Sequence, residues 1–243
     1  MLTDIWTVMW KEWKGLFREG TNRRSWLMLG AVLVFLLLSN PLRDGPAWLR
    51  TEESAVMTAT LCMVLAINTV ANSFAGERER HTLETLLASR LPDRAILFGK
   101  VAASVALSFG ATIAYLAIGV VIVNAVHGGG GFLFFPPVVI AADLALGFLL
   151  PLLFAGAGVL VSLRAATVQG AAQLLMVIFM LPAASLTMFL LLFQGPSNPV
   201  IAFLNTLNPW QVLLVAAGVL VALDAGLLLA AMARFKRARL ILS

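Results

Sequence analysis

Residues 101–126 read VAASVALSFGATIAYLAIGVVIVNAV. These 26 residues carry no Asp, Glu, Lys, Arg or His. A helix rises 1.5 Å per residue, so about 20 mostly apolar residues cross the hydrocarbon of a bilayer. A run of this length without a charged face has no solvated side to offer a soluble core. The stretch therefore predicts a membrane span, with its helix covering 95–126.

Five more stretches of the same kind flank it, at about 25–42, 54–75, 137–163, 167–193 and 211–234. Pro136-Pro137 starts the fourth of the six spans. Pro151 and Pro182 fall inside spans four and five, where a proline removes one backbone bond and tends to kink the helix. The whole chain agrees: 60% of its 243 residues are apolar, 12% are charged, and the mean hydropathy is +0.95. Soluble domains run at about 45–50% apolar and about 25% charged. An ordinary soluble enzyme is excluded, and so is a disordered chain, which needs low hydrophobicity and high charge. The fold class is an all-α integral membrane protein, one transmembrane domain over 1–243. Lone Cys62 excludes a disulfide framework or a cysteine-based metal site.

The net charge of +5 would suggest nucleic acid in a soluble protein. Here it marks a membrane face, and no nucleic-acid partner is expected. Fifteen of the seventeen Lys and Arg lie before span one, after spans two and four, or at the C-terminus. Only Arg43 and Arg50 lie on the other side. The positive-inside rule then places both termini in the cytoplasm. No cleavable signal peptide is expected, because 24 mostly polar and aromatic residues precede the first apolar run.

Residues 3–19 predict an amphipathic helix. Trp6, Trp10, Trp13 and Phe17 share one face, widened by Ile5, Met9 and Leu16. Thr3, Thr7, Lys11, Lys14 and Arg18 line the other. Indole rings opposite snorkelling cations suit the membrane–water interface and contact with lipid. The helix reads either as an anchor alone or as a lever that couples a cytoplasmic partner to span one.

Between spans two and three the chain reads GERERHTLETLLASRLP over 76–92. Thr82 can cap a short helix, and Glu84 lies in its first turn, where a carboxylate meets the positive helix end. Leu83, Leu86 and Leu87 form an apolar ridge beside Glu77, Glu79 and Arg90, and Pro92 stops the helix. Asp93 is placed to cap span three. The ridge suits docking into a groove of another protein, or else a loop whose leucines lie on the membrane.

Polar residues inside the spans are few. Asp143 and Asp224 lie in spans four and six, where a carboxylate is costly. Each reads as a proton or cation site, or as a structural hydrogen bond to Ser, Thr or an amide. Asn68 and Asn72 in span two and Gln173 in span five face a central path or bond neighbouring helices. No catalytic residues and no metal site are expected. His81 and His127 fall on opposite sides, and there is no H-E-x-x-H or G-x-S-x-G. Gly99-Lys100 lacks the phosphate-cradling glycines of a Walker A loop, so the chain is not expected to bind or hydrolyse ATP. Residues 194–210, broken by Pro196, Pro199 and Pro209, are too short to cross and predict a re-entrant segment on the outer side.

The run Gly76-Glu77-Arg78-Glu79-x-x-Thr82-Leu83-Glu84-x-Leu86-Leu87, followed by Gly99-Lys100, resembles the ABC-2 type permeases. These are the membrane subunits of bacterial and archaeal ATP-binding cassette exporters. Trp10-Lys11-Glu12, the six spans, the Arg164–Gln169 turn and Asn208-Pro209-Trp210 extend the resemblance over nearly the whole chain. It implies a coupling helix within 77–91, using Glu77, Glu79, Thr82, Leu83, Glu84, Leu86, Leu87 and Arg90 against a cytoplasmic ATPase subunit. It implies two permease subunits, expected as a homodimer, and ATP and Mg bound in the partner, with no cofactor in this chain. The location implied is a prokaryotic cell membrane. The reading from another class is a self-contained ion- or proton-coupled secondary transporter, for which Asp143 and Asp224 are the only candidate relay.

Overall fold

The computed structural model describes residues 1–18, 30, 34–35, 38–51, 53–79, 91–165, 167–192, 206 and 208–235. Most of the expected first span at 25–42 lies outside these residues. So do residues 80–90 of the expected coupling helix and most of the outer segment 194–210. The described residues form helices and turns and no strand. The long helices are α1 (Leu2–Arg18), α2 (Glu53–Glu79), α3 (Asp93–His127), α4 (Pro137–Ser162), α5 (Val168–Leu192) and α6 (Pro209–Arg234), and residues 38–44 are helical as well. A 3-10 turn, Gly45–Ala47, precedes α2. Helices α2 to α6 are each long and apolar enough to cross a membrane, which makes this a multi-pass membrane protein.

Local chemistry sets the helix starts. Pro136 and Pro137 open α4, where the missing N–H is no loss. Asn208 caps α6: its side chain accepts from Trp210 N at 3.1 Å, while Gln211 Oε1 accepts from Asn208 N at 3.1 Å. That reciprocal pair satisfies two otherwise orphaned donors. At α3 the cap position is Pro92, and Asp93 is the first helical residue rather than a hydrogen-bonding cap. Its charge still suits the positive end of the helix.

Helices α2, α3 and α4 pack on one another, and α5 and α6 lie against them. At one end Val70 and Phe74 of α2 meet Ile96, Leu97 and Val101 of α3, Ala155 and Val159 of α4, and Ala231 of α6. At the other end Trp48 is fully buried, donates to Tyr115 Oη at 3.1 Å and lies 5.2 Å from the Phe135 ring. Only glycine fits at 119, because a Cβ there would stand 2.1 Å from the Trp48 ring. The turn from α3 to α4 passes through Gly130 at φ +109, a conformation that glycine adopts freely. Asn124 then clamps it: Leu133 N donates to Asn124 Oδ1, and Asn124 Nδ2 donates to Leu133 O, each at 2.8 Å.

Candidate coupling joint

The charged segment leaves α2 at Glu79 and returns at Leu91, just before α3. The two helix ends it joins are held together by a buried ionic cluster. Lys100, in the third turn of α3, is 1% exposed. Its Nζ lies 2.9 Å from Glu12 Oε1 of α1 and 3.2 Å from Glu77 Oε1 of α2, and donates to Ser73 O at 2.6 Å. The Phe74 ring sits 4.9 Å away, a distance suited to a cation–π contact. Lys11 Nζ donates to the same Glu77 Oε1 at 2.6 Å. Two cations thus balance two carboxylates, and three oxygens surround the ammonium group of Lys100. An ion pair out of water persists only with such geometry and charge balance.

The sequence brings α1 to this place by leaving a gap for it. A Cβ on Gly99 would stand 2.6 Å from Val8 Cβ and 3.0 Å from Ile5 O. The backbone of α1 therefore rests directly on α3 at Gly99-Lys100. Val8 is 2% exposed, and Ile5, Val8 and Glu12 form the stripe that makes the contact. Trp13 adds a bond from Nε1 to Ala103 O at 3.1 Å. Trp6 and Trp10 lie on a different face and are about half exposed to the outside of the protein. The tryptophan face is thus not the face that holds α1 to the bundle, apart from Trp13.

The structure divides the expected coupling residues. Glu77 is drawn into the cluster. Glu79 is exposed, and its carboxylate accepts from Val168 N at the start of α5 at 3.2 Å, across 89 residues of sequence. Ala71 and Ala75 of α2 pack beside that contact on Ala165 and Ala171. Thr82, Leu83, Glu84, Leu86, Leu87 and Arg90 lie outside the described residues. Sequence reasoning read Lys100 only as a loop cation and a family feature, and Glu12 only as part of Trp10-Lys11-Glu12. One signal was present. Lys100 has Ile96, Leu97, Ala103 and Ser104 at helical spacing, so no acid on its own helix can neutralise it.

The intramembrane polar residues separate as well. Asp143 is fully buried near the end that holds Trp48. It accepts from Ser54 Oγ at 2.9 Å and from Thr58 Oγ1 at 3.3 Å, both on α2. Asn68 and Asn72 bond their own helix, donating to Val64 O at 2.7 Å and Asn68 O at 2.8 Å. Such back-bonding satisfies an amide without a neighbouring helix. Gln173 is exposed on α5. Asp224 is 3% exposed and stands apart from all the others. Among the described residues no group of His, Cys, Asp and Glu is placed to hold a metal ion.

The family model described as ABC-2 type transporter matches residues 3–209, well over half of the chain. No curated protein matches it.

Proposed function

This chain belongs to the ABC-2 type transporter family, and from that premise we propose that it is the permease subunit of an ATP-binding cassette exporter. Two copies enclose the substrate path, and a cytoplasmic ATPase subunit supplies the energy, with ATP and Mg bound there. Both termini face the cytoplasm of a prokaryotic cell. The crowding of Lys and Arg at the end that holds α1 supports this orientation. In this reading residues 77–91 are the coupling segment.

The observation that carries the reading is the joint itself. Any segment between Glu79 and Leu91 is anchored on both sides to helix ends that Lys100 and Glu77 pin to α1. A displacement of 80–90 by a partner therefore reaches α1, α2 and α3 together. The ridge Leu83, Leu86 and Leu87 offers apolar anchors, and Glu84 and Arg90 set register.

Replacing Leu86 and Leu87 together by Asp tests it. Each lost anchor removes about 1.5–3 kcal/mol, and every 1.4 kcal/mol is tenfold in affinity. The expected result is a normal amount of permease in the membrane with loss of ATPase co-purification and of transport. Normal co-purification and transport would refute the docking role. Loss of the permease from the membrane would assign the leucines to folding instead.

A further inference from the structure

Asp224 sits in the middle of α6, about 22 Å from its start and about 15 Å from Arg234 at its end. Most of α6 faces outward: Val219, Val221, Leu223 and Leu229 are each more than half exposed. Its two buried residues are Asp224 and Ala231, seven apart and on one stripe. That stripe faces α4, where Gly156 leaves room for Leu227. Asp224 is thus turned into the α4–α6 seam, with both carboxylate oxygens covered and neither in a hydrogen bond.

Among the described residues no charge reaches it. The only ionisable residue of α4 is Asp143, about 20 Å along the helix from Gly156 and engaged with Ser54 and Thr58. On α3 and α2, Lys100 and Glu77 neutralise each other with Glu12 and Lys11. Tyr115 is bonded to Trp48, and Cys62 to Thr112. Arg234 on α6 is exposed, three turns away. An ionised carboxylate without donor or cation in an apolar seam is far too costly to persist. Oxygens with no free surface admit one ligand small enough to neutralise them, which is a proton.

We propose that Asp224 is a proton-binding site: the side chain is seated in the α4–α6 seam as the neutral carboxylic acid, and α6 holds that place only while the proton is bound. The inference concerns the chain itself and stands apart from the partner ATPase.

Infrared spectroscopy of the purified chain in lipid nanodiscs at neutral pH, with the aspartate carboxyls labelled with ¹³C, tests this. The expected result is a labelled carboxylic-acid C=O band that is lost in Asp224→Asn and unchanged in Asp143→Asn. Asp224→Glu should remove the labelled band and leave an unlabelled acid band, which keeps the assignment available if the amide variant folds poorly. If the substitutions at Asp224 instead remove a carboxylate band, the group is ionised, and the proposal falls. An acid band lost only in Asp143→Asn overturns it equally.

Discussion

Lys100 and Asp224 are both ionisable, both almost fully buried, and both set in long apolar helices. Around Lys100 of α3 two other helices supply three oxygens: Glu12 from α1, and Glu77 and the Ser73 carbonyl from α2. Around Asp224 two helices meet, and neither carboxylate oxygen finds a donor among the described residues. The difference lies in where the chain has polar groups to spend. Helix ends carry charged residues of both signs, so a charge can be kept there. A mid-helix seam does not, so the charge itself must go. Asp143 is intermediate, a carboxylate with two hydroxyl donors from α2.

The largest effect is expected from breaking the Lys100 cluster. Lys100→Met keeps the length of the side chain but leaves Glu12 and Glu77 buried with only Lys11 nearby. Removing one partner of a buried pair costs about 3–5 kcal/mol. Thermal unfolding in nanodiscs should fall accordingly, and protease should cut α1 faster. Adding Glu12→Gln should recover part of the loss, because the orphaned carboxylate is then gone. No loss in Lys100→Met would mean that water reaches the joint.

That cluster marks where the sequence stopped being legible. A bilayer imposes span length directly on sequence, so an all-helical membrane fold could be read from runs such as 101–126. The short loops left Trp48 and Phe135 near the spans they flank. By contrast, Lys100 finds Glu12 across 88 residues. Nothing local in either stretch names the other; only the absence of an acid at helical spacing from Lys100 hinted at a distant partner. For Asp143, a hydroxyl hydrogen bond was among the readings, but Ser54 and Thr58 as its source required knowing that α2 and α4 are adjacent. Asn68 and Asn72 bond the carbonyl one turn back, where a path or a neighbouring helix was expected, because a short amide reaches its own backbone first.

A smaller effect is expected at Asp143. Asp143→Ala removes the acceptor that two buried hydroxyls share. Leaving such donors unsatisfied costs about 1–3 kcal/mol. The low end applies if Thr58 turns back to a carbonyl of its own helix, as Thr60 already does to Val56 O at 2.9 Å. Asp143→Asn keeps one acceptor oxygen and should lose less. Unfolding midpoints of the two variants, compared in the same lipid, would show whether the hydroxyl bonds or the carboxylate charge holds α4 to α2. An Asn variant weaker than the Ala variant would reverse this account.

The smallest effect is expected from the same substitution at Asp224. The chemistry of Asp→Ala is identical at the two positions, so any difference belongs to the surroundings. At Asp143 the change orphans two donors; at Asp224 there is no hydrogen bond to lose. What remains is a gap of three heavy atoms beside α4, offset by the removal of a polar group that the seam does not satisfy. The net change should stay within about 1 kcal/mol and can carry either sign. Alanine also has the higher helix propensity, which favours the variant slightly. Equal losses in Asp143→Ala and Asp224→Ala would show that Asp224 does have a partner in the assembled protein. Retained stability together with loss of the acid band in the infrared spectrum would place the two aspartates at opposite ends of the comparison, one holding helices together and the other holding a proton.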